Sequence, residues 1–241
     1  MLDRDTSQPL YVQAREILLE RIESDEYIPN SKIPSESELC IEFGISRMTV
    51  RSVITELVRD GRLYRIQGKG TFVAEPKITA SGTFYVGMRE QLEEMGYEVK
   101  TEVIEMTQIT CPPSIAKKMG IGLGETANKL VRLRFVKNEP FSIHTSYIPT
   151  RLCEGLENRD ISGDQLCAIL NRDYGLVRSS VVETLESVLA TDAEAELLGI
   201  KRGYPLLLLR DKIYNSRGEL FEFSSVVFRG DKIKIRLQYD S

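Results

Sequence analysis

The sequence predicts an α+β protein of two domains, on three observations. Residues 33 to 73 hold two capped helices, then two short strands around a glycine-framed tip. Residues 114 to 228 hold two copies of a helix, strand, turn, strand unit, whose helix-ending glycines Gly120 and Gly199 stand 79 positions apart. Between these regions Ala74 to Gly82 is small, polar and proline-containing, without periodicity. We therefore expect an N-terminal domain over 1–75, a linker over 76–82 and a C-terminal domain over 83–241. A chain of 241 residues is long enough for two such cores.

Composition narrows the function. Hydrophobic content of 41% with 28% charged residues is that of a soluble globular chain. No apolar run approaches the roughly 20 residues of a membrane span, and the opening MLDRDTSQPLYVQ lacks a signal peptide's basic-then-apolar layout. The expected location is the cytoplasm. Cys40, Cys111, Cys153 and Cys167 form no CxxC pair, and the single histidine is His144. A metal site, a disulfide framework and a cofactor fingerprint are all lacking, and no nucleophile has a base other than His144. Neither catalysis nor a cofactor is expected.

The first element, from Pro9 to about Glu26, carries one apolar stripe of Leu10, Ala14, Ile17, Leu18 and Ile22, with proline suited to its opening turn. Ser35-Glu36-Ser37-Glu38 is a capping box that starts a short second helix, with Leu39 and Phe43 inward and Gly44 at its end. Ser46 caps the third helix, where Val50, Val53, Ile54, Leu57 and Val58 make one face wholly apolar. Its outer face opens with Arg47, Met48, Thr49, Arg51 and Ser52. Leu63–Ile66 and Thr71–Val73 then read as strands around Gln67-Gly68-Lys69-Gly70.

This order is that of a winged helix-turn-helix, whose second helix enters the major groove while the basic hairpin tip lies on the backbone or in the minor groove. A surface helix with solvated arginines is the competing reading of the third helix alone. The net charge of −4 hides a segregation: Arg47 to Lys77 has seven basic and three acidic residues, Met1 to Ser46 four basic and ten acidic. A one-faced basic patch is what a polyanion requires.

PLYVQAREILLERIESDEY, IPSESEL and FGISRMTVRSVITELVRDGRLYRIQGKGTFV together resemble the DNA-binding domain of the GntR family of bacterial transcription regulators. The resemblance implies DNA contacts from Arg47, Thr49 and Arg51, with Ser35 and Ser46 at the helix starts and Gly68, Lys69 and Gly70 in the wing. Ser37 stands where the family usually has arginine, so one contact is weakened or missing.

In the second domain each repeat runs from a short glycine-ended helix (SIAKKMG; TDAEAELLG, with a Thr191/Glu194 capping box) into an arginine-bearing apolar strand (KLVRLRFV; LLLLRDKIY), a polar turn and a further strand. Two copies suggest an antiparallel sheet of approximate internal symmetry, with a ligand cleft between the halves. Arg132 and Arg134, two apart on a strand, share a face. Either that face is solvated, or an anion or carboxylates bridge the like charges. Glu222, between Phe221 and Phe223, is either an exposed strand residue or the acidic partner of this pair. His144 is either packed or ligand-facing. A helix over Gly87–Met95, whose opening amides suit an anion, adds Arg89.

RLRFVKNEPFSIHTSYIP and LLLLRDKIYNSRGELFEFSSVVFRGDKIKI are similar to the UTRA effector domain of the HutC subfamily, whose fold is that of chorismate lyase. The resemblance implies a homodimer on a palindromic operator, probing double-stranded DNA under control of a small anionic effector such as a sugar phosphate. A carboxylate effector (an amino-acid catabolite or fatty acid) is the alternative; an enzyme on the same fold is a distant third. Strand arginines and an acidic residue of the amino-sugar-phosphate binders are kept as Arg132, Arg134 and Glu222. His144 replaces a glutamate, while Cys167 and Phe228 replace tyrosines common there.

Overall fold

The computed structural model describes residues 2–81, 88–159, 161 and 165–238. The chain divides into two compact units, Met1–Lys77 and Ile78–Ser241. Among the described residues no helix is long and apolar enough to cross a membrane.

The first unit contains α1 (Leu10–Glu23), α2 (Glu36–Phe43), α3 (Arg47–Arg59), β1 (Leu63–Ile66) and β2 (Gly70–Val73). Helix α1 stops at Glu23 rather than near Glu26, because Asp25 turns into the left-handed region at φ 59°. Ala14 and Leu18 of α1, Leu39 and Phe43 of α2, and Val50, Val53, Ile54 and Leu57 of α3 close one core. The expected caps form. Ser35 Oγ accepts the Glu38 amide at 3.3 Å while Glu38 Oε2 accepts the Ser35 amide at 2.7 Å. Gly44 ends α2 at φ 63°, where a Cβ would be strained. Ser46 Oγ accepts the Thr49 amide at 3.1 Å, fixing the start of α3. Ser46→Ala should lower the unit's stability by about 1 kcal/mol in chemical denaturation; an unchanged midpoint would show that this hydroxyl does not cap α3.

Strands β1 and β2 pair antiparallel from Leu63↔Val73 to Ile66↔Gly70. The segment before α2 runs along the outer edge of β2, with Val73 N donating to Ser31 O at 2.9 Å and Ile33 N to Thr71 O at 3.0 Å. The hairpin is thereby tied to the helices rather than hanging from them.

The second unit is built on a six-stranded antiparallel sheet of order β4-β5-β6-β9-β8-β7. Its strands are β4 (Val99–Thr110), β5 (Thr126–Val136), β6 (Glu139–Pro149), β7 (Ser180–Leu189), β8 (Pro205–Tyr214) and β9 (Leu220–Arg229). Helices α5 (Pro113–Met119) and α7 (Asp192–Leu198) follow β4 and β7. The repeat is thus one strand longer than its sequence signature, β-α-β-β in each half, and the halves meet at β6 and β9. Bulges fall at Arg134/Phe135 and at Ile213/Tyr214, again 79 positions apart. A shared bulge bends both hairpins alike and supports the internal symmetry.

Alternation along the strands divides the sheet's faces. On one face Ala116 and Met119 of α5, and Ala195 and Leu198 of α7, pack against Ala127, Leu133, Ile143 and Val227. On the other, α4 (Met88–Glu94) and α6 (Leu166–Tyr174) bring Met88, Leu92, Leu166 and Leu170 over Leu130, Leu209, Val226 and Phe228.

The linker reading is corrected in part. Ile78–Ser81 forms strand β3, paired parallel with β10 (Ile233–Arg236), and buries Ile78 and Ala80 in the second core. Four residues gave no pattern by themselves; the partner strand, more than 150 positions away in sequence, supplies the ladder. Residues 82–87, among them Gly87 of the expected fourth helix, lie outside the described residues.

Candidate DNA-reading surface and effector cavity

On the first unit, α3 shows Arg47, Met48, Arg51, Ser52 and Thr55 to solvent, with Thr49 half-buried. Arg47 Nη2 donates to Ser37 Oγ at 2.9 Å, and Arg51 Nε lies 3.8 Å from Glu36 Oε1. Arg65 Nη2 on β1 reaches the same Glu36 oxygen at 3.4 Å and Thr55 Oγ1 at 3.3 Å. The start of α2 therefore holds guanidinium groups from both the helix and the wing strand. Ser37, expected only as a weakened contact, orients Arg47. Arg65 and Thr55 escaped sequence reasoning, although the alternation of β1 places Arg65 outward. Ser35 spends its acceptor on capping α2. Gly68 and Lys69 stand exposed at the wing tip, with Gly70 partly covered.

On the second unit, the α4/α6 side of the sheet holds a half-open cavity of about 110 Å³, room for several waters or a small metabolite. Arg132, Arg134, His144 and Glu222 line it, together with Ser146, Cys167, Arg178, Asp211, Ser224 and Phe228. The solvated-face alternative fails for the arginines: both are 7% exposed, and Glu222 and His144 are 6% exposed. Arg132 Nη2 approaches Ser146 Oγ at 3.5 Å, and Ser146 donates to Glu222 Oε1 at 2.7 Å. His144 Nε2 meets Ser142 Oγ at 2.9 Å. Ser224 donates to Asp211 Oδ2 at 2.9 Å.

Burial sets the electrostatics of this cavity. It lowers the Arg134 pKa to about 9, assisted by the charges of Arg132 and Arg89; the group remains a cation at neutral pH. Burial and then the two arginines push His144 well below the usual imidazole range, so its ring is neutral. Burial raises Glu222 against the opposing Ser146 hydrogen bond and Arg132 charge. It raises Asp211 to about 7. Arg132 Nε, Arg134 Nε and Asp211 Oδ1 are buried without a hydrogen-bond partner, which is costly unless a ligand or water supplies one.

Arg89 is not among the residues that line the cavity; its Nε pairs with Glu93 Oε1 at 2.7 Å, one turn along α4, while its charge acts on Arg134. Sequence reasoning missed Asp211, Ser224 and Ser146. The signal was present for Asp211, since it stands 79 positions after Arg132. Among the described residues no group of His, Cys, Asp and Glu is arranged to hold a metal.

Both halves of this arrangement have known relatives. The bacterial regulatory protein gntR family matches residues 10–73, and the UTRA domain matches residues 94–234. The chain is 32% identical over 231 residues to the HTH-type transcriptional repressor NagR of Bacillus subtilis, covering 96% of this chain and 95% of that one. The chain belongs to the GntR family, HutC subfamily. Its domains are those of transcription regulators, not of enzymes. The histidine utilization repressor of Pseudomonas aeruginosa is 31% identical over 210 residues, covering 87% of this GntR-family chain and 83% of the relative. PhnF from Mycobacterium smegmatis shares the fold, with a TM-score of 0.66 at 24% identity over 95% of this chain and 99% of that one.

Proposed function

We propose that this chain is a repressor that binds a palindromic operator as a homodimer and is released by a small anionic metabolite held at Arg132 and Arg134. The observation that carries the effector half is the pair of buried guanidinium groups whose Nε atoms lack partners on a cavity wall. Guanidinium pairs suit the oxygens of a phosphate or carboxylate, and a sugar phosphate is the leading class. The DNA half is supported by the opening turns of α3, where Arg47 and Arg51 are exposed and Thr49 is half-buried, the side-chain types with which a major-groove helix reads bases and phosphates. The relatives' names, repressors in both curated cases above, favour repression.

Release requires only that the effector favour a state of the chain with lower operator affinity. Operators selected from random duplexes by the full-length protein should be palindromic. Arg51→Ala should weaken binding to them at least tenfold, as expected for loss of a base contact of about 1 to 3 kcal/mol. Unchanged affinity in fluorescence anisotropy would remove α3 from the reading role. A panel of sugar phosphates and small carboxylates, titrated into the complex, tests release; no response to any anion would reject the effector assignment.

A further inference from the structure

The two halves of the sheet line the cavity with opposite charges. Cross-strand partners run Arg132, His144, Val226, Leu209 along one row and Leu130, Ser146, Ser224, Asp211 along the next. Exchanging the halves carries Arg132 onto Asp211 and His144 onto Ser224, so equivalent positions of the repeat hold a guanidinium and a carboxylate. The two strands are three spacings apart, about 14 Å, and both side chains line the cavity.

Hydrogen bonding divides the same way. The first repeat offers unused donors, the Nε atoms of Arg132 and Arg134, while the second offers an unused acceptor, Asp211 Oδ1. Glu222 is occupied by Ser146 and lies in the field of Arg132. Its charge also acts on Asp211, so two carboxylates face one region. Arg178, on the same wall, acts on both of them, yet Asp211 Oδ1 still lacks a donor. A simple anion would satisfy the arginines and leave this acceptor buried and unmatched. A neutral hydroxyl would supply one hydrogen bond but no countercharge, whereas an ammonium supplies both.

Resting on the anion-site reading above, we propose that the effector is bipolar: its phosphate or carboxylate lies at Arg132 and Arg134, and a protonated amine at the other end is held by Asp211, with Glu222 behind it. Asp211 is then the residue that selects amine-bearing metabolites from other anions. The raised pKa of Asp211 accords with a carboxylate that gains a counterion from the ligand.

His144 supplies the test, because it is the only histidine of the chain and lies on the cavity wall. In full-length protein without a histidine tag, its ring carbon and proton resonances report occupancy directly. Two matched probe pairs differ only in an ammonium replacing a methyl: phosphoethanolamine against propyl phosphate, and β-alanine against butyrate. In at least one pair the amine-bearing probe should bind ten times more tightly or better, and Asp211→Asn should bring that ratio to about one. Equal affinities within both pairs would overturn the amine site while leaving the anion site intact. If no probe, nor inorganic phosphate, moves the His144 resonances, the anion site falls and this inference with it. A preference that survives Asp211→Asn would place the amine elsewhere and overturn the assignment to Asp211.

Discussion

Arg132→Ala is expected to abolish the response to effector while leaving operator affinity within about twofold. The guanidinium sits on the cavity wall with its Nε unpaired, and Ser146 and Glu222 are arranged behind it. A charge-assisted hydrogen bond contributes about 1.5 to 3 kcal/mol, so effector affinity should fall by roughly 10- to 150-fold. Arg132→Lys should recover only part of this, since an ammonium keeps the charge but loses the planar fork. Calorimetry reads the affinity and anisotropy reads the operator complex. An Arg132→Ala protein that is still released at the wild-type effector concentration would remove Arg132 from the site.

The second large effect concerns stability against pH. Asp211 has an ordinary pKa of 3.8 that burial, with the charges of Glu183 and Glu222, raises to about 7 in the fold. Between these values the folded chain keeps a proton that the unfolded chain releases. Stability from this group is therefore highest below the lower value and falls as pH rises through the window. Above about pH 7 the full cost is present, at most about 4 kcal/mol. Asp211→Asn removes it, and the amide oxygen can still accept from Ser224. The variant should gain on the wild type as pH rises from 4 to 8 in the absence of effector. His144 has the opposite slope, being neutral when folded, but it is common to both proteins and largely cancels in the difference. A constant gap between the two proteins across this range would show that Asp211 titrates normally.

The helices, caps and hairpin of the first unit were legible in the sequence, because their determinants are local. The capping boxes at Ser35 and Thr191, the glycine end of α2 and the apolar face of α3 each depend on residues within a few positions of one another. The internal repeat was legible for the same reason, through its spacing. Two kinds of feature were not. Strand β3 is four residues long and acquires its identity from β10, a contact no window of sequence contains. The choice between solvated and buried arginines on β5 depends on which face α4 and α6 cover, and alternation alone gives two faces without saying which is inside.

Two domains, the polarity of α3 and the placement of Arg132 and Arg134 on one side of a strand could be read from the chain alone. Sequence reasoning also named Arg89, which pairs with Glu93 along α4 and whose charge acts on Arg134. The meeting of β6 and β9 at the centre of one sheet is a product of the folded chain. That junction brings the arginines of one repeat into the same enclosure as the carboxylates of the other. Caps and stripes arise from neighbours along the chain, whereas burial, and the shifted charges that come with it, arises from what the fold lays on top.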